Sequence, residues 1–248
     1  MTSISFVRES VLDASAVLFP VRCAGCGGPD RSLCVACRRE LVPRVTTRAV
    51  GGIPVWSAVE YSGAARKVLL AFKESGRVDA APALSRALRA AVVEALRSAP
   101  AAGADPRVVR RRGHGRRDAL LPVLVPSTTA ARRRRGFHPS GTVLARAHIL
   151  VPPLWRALRL TRQTRDQAEL SSVGRAVNRQ GSMVASARLR GRRCLIVDDI
   201  VTSGATIAEA ARAIDAAGGR VVGAATIAGT PRRGVPQLPG STRTAPRK

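Results

Sequence analysis

At 248 residues the chain can form one good-sized domain plus a small appendage, and its ordinary apolar content allows a proper core. A formal charge of +26, nearly all arginine, fits affinity for a polyanion such as nucleic acid or a phosphorylated substrate; the alternative is arginine spread over solvated faces without a partner. No stretch approaches the roughly 18 uncharged apolar residues of a membrane span, and scarce aromatics argue against base-stacking platforms.

In chain order, residues 4–19 read as a first helix, with Ile4, Val7, Val11, Leu12, Leu18 and Phe19 near helical spacing and Pro20 ending it. Arg8, Glu9 and Asp13 interrupt this stretch, and no cleavage site follows a basic region. A signal peptide is therefore not expected, and the expected location is cytoplasmic.

Four of the five cysteines follow as Cys23-x-x-Cys26 and Cys34-x-x-Cys37. Two thiolates three residues apart form a chelating turn, and a second such turn completes a tetrahedral four-sulfur site for structural zinc. With every position filled by sulfur, no coordination site stays open for catalysis. A disulfide pair is the alternative, disfavoured by a reducing compartment.

Residues 53–61 read as a strand or hairpin opening the main domain, and 63–73 as a short helix ending in Phe72-Lys73. A long alanine-rich helix is expected over about 79–98. The basic segment 101–117, with Arg110–Arg112 and Arg116-Arg117, reads as a solvated linker in preference to a nucleic-acid patch. Residues 121–126 form the next buried strand. Ser127–Ala131 then leads into the run Arg132-Arg133-Arg134-Arg135-Gly136-Phe137-His138, with a helix expected over Gly141–Leu150. His138 beside a helix start suits a cap or a surface residue better than a general base. No apolar period persists across 161–168, which reads as a loop. Arg220–Ala228 is the last strand, and a Pro-, Arg- and Thr-rich tail, 231–248, is expected to be disordered.

The densest chemistry lies between these last elements. Cys194–Val197 is a short apolar run, expected as a strand buried on both faces, with Cys194 as a core thiol. Asp198 and Asp199 follow at once, where carboxylates can accept hydrogen bonds from a vicinal diol. Thr202, Ser203 and Thr206 offer hydroxyls, and Gly204 permits a tight turn. The amides of Ser203, Gly204, Ala205 and Thr206 can converge on a phosphate at the start of the helix that follows, closed by Gly218-Gly219. Ligands of open α/β sheets sit at such strand–helix junctions. The alternatives are a Walker B strand or a structural acidic pair; no Gly-Lys of a P-loop occurs in the chain.

Asp198–Thr206 resembles the PRPP (5-phosphoribosyl 1-pyrophosphate) motif of type I phosphoribosyltransferases, and most of residues 12–233 is similar to the ComF family of competence-associated proteins within that superfamily. The resemblance implies an α/β fold with a mostly parallel sheet flanked by helices, spanning about 49–230, behind an N-terminal helix and zinc module in residues 1–48. It also implies that the run ending in Arg135-Gly136-Phe137 is the pyrophosphate segment, where Gly136 would let the backbone approach closely. His138 stands where the family usually has Asn, and Leu124 where it tends to have Pro. Arg162, Thr164 and Gln167 match the family's spacing in a mobile loop that closes over the sugar. The expected chemistry is phosphoribosyl transfer from PRPP with Mg²⁺, with Asp198, Asp199 and Arg135 as the catalytic groups. The competing expectation is a PRPP- or nucleotide-sensing protein whose partners are single-stranded DNA and competence-machinery proteins.

Overall fold

The computed structural model describes residues 21–29, 31–98, 120–149, 156–161 and 181–231. The predicted helix 4–19, the basic segment 101–117, the loop residues Arg162, Thr164 and Gln167, and the tail from 232 lie outside the described residues.

A short helix α1 (Val35–Glu40) follows the first cysteine turn, and strands β1 (Thr46–Val50) and β2 (Ile53–Glu60) form a hairpin across Gly51-Gly52. Helix α2 (Gly63–Glu74), a 3₁₀ turn and helix α3 (Ala81–Ser98) lead to β3 (Leu121–Leu124). Helices α4 (Thr129–Arg135) and α5 (Pro139–Ala147) precede two short strands, β4 (Leu158–Leu160) and β5 (Met183–Ala185). The chain then runs through β6 (Arg193–Val201), α6 (Ala205–Ala216) and β7 (Arg220–Gly229).

The main sheet has the order β1-β2-β7-β6-β3, with β2, β7, β6 and β3 parallel and β1 antiparallel at the edge. This is the mixed α/β sheet with flanking helices that the sequence implies. Because the pleat alternates, β6 feeds two cores. Leu195 and Val197 pack with Phe72, Leu84 and Leu88 on the side of α2 and α3, while Cys194 and Ile196 pack with Ile207 and Ile214 of α6. Both faces of β6 are apolar over Cys194–Val197, as a strand covered on both sides requires. Helix α3 turns a stripe of Ala83, Ala87, Ala91 and Ala95 inward, and these small side chains let it settle against β2, β7 and α5. Cys23, Leu33, Cys37 and Leu41 join the α2–α3 core, so the cysteine module packs directly on the sheet domain.

The ends of the four parallel strands lie along one edge, where Glu60, Leu124, Val201 and Gly229 terminate them. β4 and β5 form a separate antiparallel pair, Leu158 opposite Ala185. That pair is stapled to α6 by buried Glu209. Its carboxylate accepts from the Met183 amide at 2.9 Å and from Arg212 at 2.8 Å, while Arg212 donates to the Met183 carbonyl at 2.9 Å. The Arg212 hydrogen bonds hold the Glu209 pKa below its ordinary value of 4.5 against the opposing effect of burial. The stabilisation is therefore complete above that ordinary value and is lost as pH falls through the lowered folded one. Glu209→Gln is expected to cost about 2 kcal/mol at pH 7, moderated because Arg212 is half-exposed. Urea midpoints should show that gap narrowing below pH 4; an equal gap at pH 7 and pH 3 would reject the ionic origin.

Candidate functional site

Two clusters carry chemistry. In the first, Cys23 and Cys26 flank a turn, Cys34 is the N-cap of α1 and Cys37 lies within it, so helix geometry and turn geometry aim four thiols at one point. Their sulfurs all lie within 4.8 Å of one another, and Cys26 Sγ is 3.8 Å from Cys34 Sγ. A tetrahedron of ~2.3 Å zinc–sulfur bonds has edges of about 3.8 Å, so the sulfur spacing fits. Burial acting alone would push the Cys23 thiol up. Backbone hydrogen bonds involving Cys34, Cys26 and Gly25 outweigh it and bring Cys23 down to about 6. Two of the backbone contacts are the Gly25 and Cys34 amides, each donating to Cys23 Sγ at 3.4 Å. Cys37 moves the other way, raised first by burial and then by its sulfur neighbours. A thiol that coordinates a cation is deprotonated outright. The four cysteines are positioned to bind a metal such as zinc.

The second cluster lies at the carboxyl edge of the sheet. β6 continues to Val201, so Asp198 and Asp199 sit within the strand, not beyond its end as the apolar run alone suggests. Main-chain pairing carries on past the apolar residues, with Asp198 opposite Thr226 and Ile200 opposite Ala228. Alternation then separates the two carboxylates. Asp199 is buried on the α2 side, where Lys73 Nζ meets its Oδ2 at 2.7 Å. Asp198 is partly exposed, and its Oδ1 accepts from the Asp199 amide at 2.8 Å. Desolvation, followed by the charge of Asp199, raises the Asp198 carboxyl well above the ordinary carboxylate range.

Thr202 and Ser203 are exposed, and Gly204 closes the turn in the left-handed region at φ +86° before α6 begins at Ala205. Gly204 supplies no side-chain cap, while Ser203 Oγ accepts from the Ala205 amide at 3.4 Å. A Cβ on Gly204 would stand 2.5 Å from Val50 Cγ1 as well as straining the backbone. Gly204→Ala is expected to cost about 1–3 kcal/mol. Chemical denaturation checks this, and a wild-type midpoint would show that the turn tolerates a side chain.

The last turn of α2 ties the remaining predicted residues to this edge. Phe72 stacks edge-on against Phe137 with ring centroids 5.2 Å apart, Lys73 pairs with Asp199, and Glu74 accepts from Arg134 at 2.6 Å and Arg135 at 2.9 Å. The partner of Arg135 thus stands one residue along α2 from the partner of Asp199. The arginine run forms a short helix, α4, capped by Thr128 Oγ1 accepting from the Ala131 amide at 3.2 Å. Gly136 ends it at φ +73°, with nothing within 4 Å of a Cβ there. Its glycine serves the left-handed helix end. His138 is a cap: its Nδ1 accepts from the Gly141 amide at 3.2 Å. Burial lowers its pKa below the ordinary value, against weaker opposing effects from a backbone hydrogen bond at Val125 and the charge of Asp199, and this lowering favours the neutral form that capping needs. Helix α5 stops at Ala147, short of the expected Leu150, because His148 adopts a left-handed conformation. Cys194 is fully buried, and burial pushes its thiol up to about 11.

Lys73, Glu74 and Arg48 are the site residues that the sequence alone does not single out. Only the Phe72-Lys73 ending of α2 hinted at the first. Arg48 donates to the Thr202 carbonyl from 154 residues away, a separation no local pattern encodes.

Among the described residues no helix is long and apolar enough to cross a membrane. A search of curated proteins finds no significant match. Residues 142–243, from within α5 through β7 and beyond, match the family model described as phosphoribosyl transferase domain, and this supports a place in the type I phosphoribosyltransferase-like superfamily.

Proposed function

We propose that the chain binds PRPP at the carboxyl edge of the sheet and transfers its phosphoribosyl group, as a ComF-like protein of the cytoplasm with a link to competence and DNA uptake. The observation that carries it is the succession, within the segment matched to the phosphoribosyl transferase domain, of Asp198 and Asp199 near the carboxyl end of β6 and the Thr202–Thr206 turn that leads into α6. In this proposal the two carboxylates hold the ribose diol, with Lys73 holding Asp199 in place. The amides and hydroxyls of Thr202, Ser203, Gly204, Ala205 and Thr206 receive the 5-phosphate at the positive end of α6. Arg135, already aimed at a carboxylate of Glu74, exchanges that partner for the pyrophosphate.

The bond from the anomeric carbon to the pyrophosphate oxygen breaks with its electron pair leaving on oxygen, and the acceptor's lone pair forms the new bond. Positive charge that develops on the sugar is stabilised by the neighbouring carboxylates, so the residues act by preorganised charge and not as nucleophiles. Asp198 is part-exposed and oxygen-bearing, which suits a hard divalent cation; Mg²⁺ there would neutralise pyrophosphate charge. The four-cysteine cluster takes structural zinc. Pyrophosphate release from PRPP and Mg²⁺ across a panel of nucleobase and amine acceptors tests the transferase. Release with any one acceptor supports it. PRPP binding without release favours instead the sensor that works with single-stranded DNA, whose surface would include exposed Arg132 and Arg133.

A further inference from the structure

The phosphate turn does not stand on its own segment. Strand β1 reaches it from the N-terminal hairpin, well outside residues 142–243. Arg48 and Val50 are two residues apart on this strand and therefore share a face. Both meet the turn: Arg48 Nη2 donates to the Thr202 carbonyl, and the methyls of Val50 lie against Gly204. Thr230, just past β7, donates to the same carbonyl through Oγ1 at 3.4 Å, and its amide donates to the Val201 carbonyl at 3.0 Å.

In a trans peptide the carbonyl of one residue and the amide of the next point in opposite directions. Fixing the Thr202 carbonyl toward β1 therefore turns the Ser203 amide away from β1. It becomes the first of the amides in the turn that precedes α6. A guanidinium is also permanently charged and has a planar, pre-organised donor fork that an ammonium lacks. Its charge lies beside the same turn and adds to the positive end of α6.

We infer that Arg48 is a positioning residue of the phosphate-binding turn, setting its affinity for the 5-phosphate of the ligand through the Thr202 peptide. The inference rests on the PRPP reading of the site. It predicts an effect confined to one end of the ligand, because Arg48 braces the 202–206 turn while the pyrophosphate end is assigned to the Arg135 side.

The test is calorimetric titration of the full chain with ribose 5-phosphate and, separately, with inorganic pyrophosphate, for wild type, Arg48→Met, Arg48→Lys and Thr230→Val. Arg48→Met should weaken ribose 5-phosphate binding roughly ten-fold and leave pyrophosphate binding unchanged. Arg48→Lys should recover part of the loss, and Thr230→Val should show a smaller loss on the same ligand. Thr230→Val carries the test if Arg48→Met does not fold. Wild-type binding of ribose 5-phosphate that Arg48→Met and Thr230→Val leave intact overturns the role of the brace while the PRPP site stands. An equal loss of both ligands also overturns it, in favour of general structural damage. Failure of wild type to bind either ligand removes the PRPP reading and the inference with it.

Discussion

Removing metal from the four-cysteine cluster, or replacing Cys37 with serine, is expected to lower the thermal midpoint by on the order of 10 °C. The effect is large because the cluster is continuous with the core. Cys23, Leu33, Cys37 and Leu41 are buried with Trp56, Phe72 and Leu84, so releasing the thiols loosens apolar packing as well as four bonds. Gly25 sits so close that a Cβ there would fall 2.6 Å from Cys37 Sγ, and Gly25→Ala should mimic part of the loss. The disturbance should travel. Glu40 of α1 accepts from the Ala64 amide at 2.7 Å, anchoring the start of the helix whose far end presents Lys73 to Asp199. Differential scanning of the protein before and after chelation, with zinc added back, checks this. A melt that chelation leaves unmoved, with no metal released, would show that the sulfurs hold nothing of structural consequence.

Substituting the carboxylates should separate function from stability. Asp198→Asn is expected to reduce PRPP-dependent turnover by ~10²–10³, the cost of one preorganised electrostatic contact. Stability should behave differently. Because burial and the charge of Asp199 raise the folded Asp198 pKa, the unfolded chain gives up this proton at lower pH than the folded one does. Wild type is therefore penalised as pH rises above the unfolded value, and the penalty disappears in acid, where both states hold the proton. The asparagine variant should match or exceed wild-type stability at pH 7 and converge with it in acid. Asp199→Asn should lose turnover to a similar degree and also lose about 1–2 kcal/mol, since it leaves Lys73 facing a neutral amide in a largely buried position. Turnover unaffected by both changes, with melts at wild-type values, would remove the carboxylates from the chemistry.

The parts of this site that were legible in the sequence are those encoded within a few residues. Two Cys-x-x-Cys turns are local chelators, and their convergence needs only a short connection. Asp198–Thr206 is contiguous, so strand, acids, turn and helix announce themselves together. What escaped detection depends on distant partners. The β6 strand looks four residues long because the apolar pattern stops at Val197, yet its backbone keeps pairing with β7 through Val201 opposite Gly229. Arg132–Arg135 has no apolar period, but arginine is a good helix former and Thr128 supplies the cap. Strand β1 lies at an edge with largely exposed side chains, so it lacks the alternation that marks a half-buried strand. Arg48, Lys73 and Glu74 read as ordinary surface charges until the fold brings them to the sheet edge.

The measurement that bears most directly on the site is a calorimetric titration of PRPP with Mg²⁺ into the wild-type chain and the Asp198→Ala/Asp199→Ala double variant. The predicted result is a single saturable site in wild type that the double variant loses, with the metal content of the cysteine cluster unchanged. Absence of binding by wild type, or undiminished binding by the double variant, would contradict the placement of a phosphorylated ribose beside these two acids.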